Sequence, residues 1–347
     1  MKSIQVKTGR PYEVLIGENL LSGVGDLVKK VLSSPRLLII TDDVVNPLYG
    51  GIVAESLSKS GYEVEFFVIE NGEHSKCMSV YSAILNYLAD GGYTRKDGII
   101  ALGGGVVGDL AGFVAATYLR GIDFVQIPTT LLAQIDSSVG GKTAIDLHAG
   151  KNLVGAFWQP RLVVADVLTL NTLPQKEIEN GLGELIKYAC LMGGEIYDLL
   201  ASGYKQQVER VVELAVGYKR DIVEADEREG GVRRLLNLGH TIAHGIEKLS
   251  GYTFTHGKAV ASGIIAIAKA QVKKSVLSKE DYLKLESLYM TYSLDYTLPY
   301  SLEDICEVAK VDKKAEDKYI NLVTMAGFGD CRVEKMELSK LKEYLDD

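Results

Sequence analysis

Four cysteines in 347 residues, Cys77, Cys190, Cys306 and Cys331, stand far apart and form no CxxC or other ligand spacing. Neither a disulfide framework nor a thiolate metal site is indicated, and the pattern fits scattered core thiols in a reducing cytoplasm. Prolines number only 7 and no low-complexity tract occurs, which excludes a largely disordered chain. Nowhere do about 18 uninterrupted apolar residues follow one another. The opening MKSIQVKTG alternates like a first strand and lacks the apolar run of a signal peptide, so neither export nor membrane insertion is expected. An excess of basic charge is missing too: 38 Lys and Arg face 46 Asp and Glu, giving a formal charge of −8. That balance argues against nucleic acid or an anionic membrane as partner, because both require a basic face that displaces counterions. An anionic metabolite remains open, and it would need cations converging locally in a pocket.

What is present is an ordinary globular composition, 47% hydrophobic and 24% charged, in a chain long enough for two domains. Up to about residue 130, apolar runs at 36–41 (RLLIIT), 62–69, 98–102 and 123–128 (DFVQIP) alternate with helical spacing such as 76–90. Continuous rather than alternating apolar strands predict a parallel sheet covered on both faces, hence a doubly wound α/β, nucleotide-binding domain over 1–165. From about 175 helical patterns follow one another at 174–191, 205–226, 236–250 and 257–276. They predict a mainly α-helical domain over 166–347, with one strand-like run at 320–329 and a terminal helix at 338–346.

The strand at 98–102 runs into GGGVVGDLAGF, where Gly103, Gly105 and Gly108 satisfy GxGxxG and open a helix. Such glycines let backbone approach a pyrophosphate whose charge the helix N-terminus attracts. Close packing explains an isolated match equally well. The motif follows a late strand rather than the first, so it departs from the usual dinucleotide fingerprint. Asp42, at an earlier strand end, could take a ribose hydroxyl or merely cap the helix near Val44. GGKT at 140–143 fails as a phosphate loop, because the required first glycine is Asp136. Lys142 could still meet a phosphate or carboxylate as a point charge, or be a solvated lysine.

Of five histidines three, His240, His244 and His256, are clustered. The spacing of four puts His240 and His244 on one face of a predicted helix, and His256 follows in a loop before the next. No glutamate follows His240, so the HExxH protease pattern fails. A lone histidine is more often a core or surface residue, but the cluster, completed by Glu184 in NGLGELIKY, would make a site of two imidazoles and one carboxylate. Open coordination positions of that kind mark a catalytic zinc-type ion, which grips hydroxyls and lowers their pKa. Lys187, Lys219, Arg233 and Lys314 add cations, with Arg233 expected upstream of Asn237 and His240 on the same helix as an anion contact.

Taken in order, GGGVVGDLAGFVAATYLRGI (103–122), IPTTLLAQIDSSVGGKTAID (127–146), GKNLVGAFWQP (150–160), DEREGGVRRLLNLGHTIAHGIE (226–247) and THGKAV (255–260) resemble the motifs of the 3-dehydroquinate synthase family. The likeness covers nearly the whole chain. It implies an NAD-binding α/β domain, a helical metal domain with the active site between them, and a homodimer. It implies Zn2+ or Co2+ on Glu184, His240 and His256. NAD would be surrounded by Asp42, the segment Asn71, Gly72, Glu73, His74, Ser75 and Lys76, and the loop Gly104, Gly105, Val106, Val107, Gly108 and Asp109. Thr129, Thr130, Lys142, Lys151 and Thr169, Leu170, Asn171 and Thr172 would complete that site. Substrate contacts would fall to Asp136, Lys142, Asn152, Lys187, Lys219, Arg233, Asn237, His244 and Lys314, with Arg120 reaching across the dimer.

The reaction implied converts 3-deoxy-arabino-heptulosonate 7-phosphate to 3-dehydroquinate and phosphate. Hydride removal from a secondary alcohol would give a ketone that acidifies the neighbouring C–H, phosphate would leave, and the hydride would return. Three positions depart from the commonest family pattern: Lys258 where glutamate is usual, NGEHSK in place of a DGE run, and Trp158. Lys258 puts the support of the metal in question. Competing readings are a sugar-phosphate cyclase of the inosose or valiolone synthase type, a metal-dependent polyol dehydrogenase, and a ligand sensor without catalysis. Arg233, Asn237 and His244 together favour the dehydroquinate reading.

Overall fold

The computed structural model describes residues 1–312 and 318–346, apart from the side chains of 309–312. Two compact units result: Met1–Leu173 with Val216–Glu227, and Pro174–Ala215 with Arg228–Asp347. The first unit therefore extends past 165 and takes back a segment that the sequence assigns to the second.

The first unit is built on nine strands: β1 (Lys2–Val6), β2 (Tyr12–Gly17), β3 (Arg36–Asp42), β4 (Glu63–Ile69), β5 (Gly98–Gly103), β6 (Asp123–Pro128), β7 (Lys142–Leu147), β8 (Gly150–Phe157) and β9 (Leu162–Asp166). Seven form one sheet in the order β1-β2-β9-β6-β5-β3-β4. It is parallel throughout except for the β1/β2 pair. The pleat explains why its central strands read as continuous apolar runs, since successive side chains enter opposite cores. Leu37 and Ile39 of β3 and Ile100 and Leu102 of β5 join Val28, Val53 and Leu57 on one face. Leu38, Ile40, Ile99 and Ala101 join Ile84, Leu88, Leu110 and Val114 on the other.

From β3 the chain moves outward to β4, then crosses back to β5 on the other side of β3. Strand order thus reverses between β3 and β5, and at such a switch point the strand ends open a crevice for ligands. The strands β7 and β8 pair with each other as an antiparallel hairpin outside the main sheet, with one isolated bridge from Asp146 of β7 to Cys77. The sequence offers little sign of it, because half the β8 side chains are exposed and its apolar residues do not alternate cleanly.

In the second unit the helices Gln175–Met192, Gly194–Ser202, His240–Leu249, His256–Lys273, Lys279–Thr291 and Leu302–Asp312 dominate. The run at 320–329 becomes β10 (Tyr319–Gly327), paired with β11 (Asp330–Glu337) as a hairpin. The chain's last described helix is Leu341–Asp346. One expected element is divided: instead of a single helix over 236–250, a short 3-10 helix Val232–Asn237 ends before Gly239, whose left-handed φ of 82° turns the chain into His240–Leu249. Arg233 and Asn237 consequently lie on a different element from His240. No helix among the described residues is long and apolar enough to cross a membrane.

Candidate active site

Two close backbone contacts assemble the histidine cluster. A Cβ on Gly257 would stand 1.8 Å from the carbonyl oxygen of Asn180, so the helices Gln175–Met192 and His256–Lys273 touch backbone to backbone there. A Cβ on Gly263 would lie 2.2 Å from the carbonyl oxygen of Gly239, which seats the start of His240–Leu249 against the same helix. His256 opens its helix rather than standing in the preceding loop.

Glu184 is fully buried. Its Oε1 lies 3.1 Å from Nε2 of His256 and 3.5 Å from Nε2 of His240, while its Oε2 pairs with Lys187 one turn on. The other nitrogen of each ring is engaged. Nδ1 of His240 is 3.1 Å from the carbonyl oxygen of Leu238, and Nδ1 of His256 is 3.4 Å from Oε2 of buried Glu247. Acceptors at both Nδ1 atoms favour the tautomer whose Nε2 lone pair points at Glu184, as ligating imidazoles require. Ligand atoms of the three residues lie within 4.8 Å of one another, and they form the one such group among the described residues. Two neutral nitrogens and a carboxylate oxygen suit a divalent ion of the zinc or cobalt kind.

Charge around the cluster is finely divided. Burial, opposed by Glu184, holds His240 down at about 3, so it is neutral and ready to ligate. Burial also disfavours a charged His256, but bonds to Glu184 and Glu247 outweigh it and raise that ring to about 10, so without an ion this ring holds a second proton, which an ion at Nε2 would displace. Lys258 does not disturb this arrangement, since its ammonium turns to Glu179 at 2.8 Å. Glu247, absent from the residues expected here, carries a detectable signal: it stands seven residues after His240, two turns along the same face. His244 is exposed, its ring edge-on to His240 at 5.6 Å. Arg233 is buried, and Asn237 donates from Nδ2 to Oε1 of Glu229 at 2.8 Å. Lys314 lies outside the described residues.

In the first unit the expected dinucleotide residues collect at the carboxyl edge of the sheet. Asp42 ends β3, the segment 71–76 follows β4, Gly104–Asp109 follows β5, Thr129 and Thr130 follow β6, and 169–172 follows β9. Asp42 does cap, its Oδ1 accepting from the N–H groups of Val44 and Val45 at 2.9 and 2.8 Å. Packing also governs the last motif glycine, because a Cβ on Gly108 would meet Oε1 of Gln126 at 2.9 Å. The helix Gly105–Thr117 presents its N-terminus to this edge, which suits a phosphate. At the same edge the buried Oγ1 of Thr129 has no hydrogen-bond partner among the described residues, and a polar ligand atom would satisfy it. Thr172 shares a 2.5 Å hydroxyl contact with Tyr49.

Lys76 ties the edge together. Its buried ammonium lies 2.9 Å from Glu73, 3.2 Å from Asp109 and 2.8 Å from Oδ1 of Asn152. Burial disfavours its charge, yet Asp109 and Glu73 raise its pKa well above the usual lysine range. Burial lifts Asp109 despite Lys76, whereas Lys76 and Lys151 overcome burial to hold Glu73 low. Asn152, left-handed at φ 56°, is pinned again by its N–H to Oδ1 of Asp146 at 2.8 Å. Lys219 donates to the carbonyl oxygen of Asp136 at 2.8 Å and pairs with its carboxylate. Lys142, exposed, opens β7, and exposed His74 reaches Glu70 at 3.3 Å. Arg120 stands apart: it follows the far end of the helix Gly105–Thr117, about 20 Å from the glycine turn at 1.5 Å per residue.

Comparison with known proteins agrees with this geometry. Residues 66–180 match the N-terminal part of 3-dehydroquinate synthase and residues 181–315 its C-terminal part. The chain belongs to the 3-dehydroquinate synthase family. A relative from Clostridium acetobutylicum, named 3-dehydroquinate synthase, is 41% identical, with 99% of each chain covered. Another from Desulforamulus reducens is 44% identical over 90% of each. Among solved structures, 2-deoxy-scyllo-inosose synthase complexed with carbaglucose-6-phosphate, NAD+ and Co2+ has a TM-score of 0.89 at 25% identity and 99% coverage of each chain. The 2-epi-5-epi-valiolone synthase of Streptomyces hygroscopicus, with NAD+ and Zn2+ bound, has a TM-score of 0.87 at 25% identity, covering 99% of this chain and 98% of its own. A glycerol dehydrogenase from Schizosaccharomyces pombe shares the fold, with a TM-score of 0.67 at 17% identity over 96% of this chain and 87% of its own.

Proposed function

We propose that this protein converts 3-deoxy-arabino-heptulosonate 7-phosphate to 3-dehydroquinate and inorganic phosphate, as a phosphate-eliminating lyase of the cytoplasm acting as a homodimer. The observation that carries the reading is 41% identity along essentially the full length of a 3-dehydroquinate synthase, against 25% for the inosose and valiolone synthases. Glu184, His240 and His256 would hold one Zn2+ or Co2+. NAD would lie along the carboxyl edge, near Asp42, the 71–76 segment, Gly104–Asp109, Thr129, Thr130, Lys151 and 169–172, with Lys142 also in reach. When bound, NAD supplies a transient hydride acceptor and the ion supplies Lewis-acid polarisation of a substrate hydroxyl.

The chain's own groups account for binding and charge. Lys187 neutralises one oxygen of Glu184, leaving the other directed at the two imidazoles. Lys142, Asn152, Asn237 and His244 are assigned to the leaving phosphate, whose negative charge their donors stabilise as the C–O bond breaks. Lys219 and Arg233 are assigned to the carboxylate or ring hydroxyls, with Asp136 holding Lys219 in place. Arg120, remote within its own chain, would act on a partner subunit's substrate, and Lys314 would add a further cation.

Release of inorganic phosphate from the heptulosonate phosphate, measured with NAD and Zn2+ or Co2+ before and after chelation, tests this. Metal-dependent release with dehydroquinate formed and no accumulating NADH is expected. No release, with NADH appearing on a polyol, would move the protein to the dehydrogenase class.

A further inference from the structure

The first three residues of the helix His256–Lys273 are each held by a different residue of the helix Gln175–Met192. Nε2 of His256 lies 3.1 Å from Glu184, the N–H of Gly257 donates to Oδ1 of Asn180 at 2.7 Å, and Nζ of Lys258 lies 2.8 Å from Oε2 of Glu179. Thr255, at the N-cap, makes no side-chain capping bond. Asn180 therefore supplies from a neighbouring helix the acceptor that a helix start ordinarily draws from its own cap. Its amide is oriented in turn by Nδ2 donating to Glu177 at 3.4 Å. The Glu179–Lys258 pair is largely shielded, with side chains 21% and 29% exposed.

We propose that Asn180 and the Glu179–Lys258 ion pair are positioning residues for His256, a clasp outside the ligand set that fixes the metal affinity of the site. The inference rests on the reading of Glu184, His240 and His256 as metal ligands. Helix ends fray unless their N–H groups are held, and fraying here swings His256 away from Glu184. Lys258, the departure from the family pattern, thus works on the metal through the helix start and not through an imidazole.

Zn2+ affinity of the purified full-length protein, measured by competition with a chromophoric chelator, tests the proposal, with circular dichroism reporting folding. Asn180→Ala, Glu179→Lys and Lys258→Glu are each expected to weaken Zn2+ binding by about tenfold or more. Asn180→Asp, which keeps an acceptor oxygen, and the Glu179→Lys/Lys258→Glu double variant are expected to recover most of that loss. Folded single variants that bind Zn2+ as tightly as the wild type would overturn the clasp, as would a double swap no better than its parents. If Asn180→Ala fails to fold, the charge-swap series decides alone. Wild-type protein that binds no Zn2+, or that binds it equally well as Glu184→Gln, would instead defeat the ligand reading itself.

Discussion

A Cβ added to Gly183 would lie 2.0 Å from the carbonyl oxygen of Gly257. The contact lets Glu184, the next residue, meet His256, the one before Gly257, so the Glu184–His256 pairing depends on the absence of two methyl groups. Gly183→Ala must push the helices apart or strain them, at a cost of about 1–3 kcal/mol. A lowered melting temperature is expected together with loss of Zn2+ from the folded fraction. Gly217→Ala is the control: a Cβ there would meet no heavy atom within 4 Å, and in a helix interior that change should stabilise by roughly 0.5–1 kcal/mol. Equal Zn2+ content in the two variants would show that the crossing does not set the site.

Lys76 compensates Glu73 and Asp109 at the sheet edge, and with these carboxylates partly exposed and so partly screened by solvent, Lys76→Met should destabilise by about 1–3 kcal/mol. The pH dependence has a definite sign. Burial already raises Asp109 with Lys76 present, and removal of the ammonium raises it further. A carboxyl whose folded pKa exceeds its unfolded value loses stability as pH rises through that interval. The variant's deficit should therefore be widest near neutrality and narrow in acid, as denaturant unfolding at a series of pH values would reveal. A deficit that widens in acid would contradict this account.

Much of this was legible in the residues. The strands at 36–41, 98–102 and 123–128 appear as β3, β5 and β6 because buried parallel strands leave continuous apolar runs, and the run at 62–69 appears as the half-exposed edge strand β4. The cluster of Glu184, His240 and His256 is legible because histidine is scarce enough for its clustering to carry information. The division at Gly239 escaped because 3-10 and α spacing differ little over six residues, and only a left-handed φ separates them. Asn180 escapes for another reason: it acts on Gly257, a residue distant in sequence, so local pattern does not mark it, whereas Glu247 is marked only by its spacing of seven from His240.

Glu247 faces the outer nitrogen of His256, and Glu247→Ala removes the acceptor that orients this ring. Zn2+ affinity should fall by about 10- to 100-fold, the usual effect of losing an outer partner of a ligating histidine. Isothermal titration with Zn2+ measures it directly. The His240 nitrogen is held by the backbone of Leu238, which the substitution leaves in place, so binding should weaken without being abolished. Unchanged affinity would mean that the helix start alone orients His256.

Lys219 and Asp136 make the last pair to separate. The ammonium donates to both the backbone oxygen and the carboxylate of Asp136, which aims a nearly buried cation with little freedom. If that cation meets the substrate's negative charge, Lys219→Met should lower kcat/KM by about 100-fold or more, the scale of losing one preorganised donor. NAD affinity and Zn2+ content should hold, because neither the glycine turn nor the histidine cluster includes Lys219. Asp136→Asn keeps a carbonyl acceptor for Lys219 and should lose less than Lys219→Met. Steady-state kinetics alongside NAD titration distinguish the cases: a fall in NAD affinity equal to the fall in kcat/KM would place Lys219 in cofactor binding rather than against the substrate.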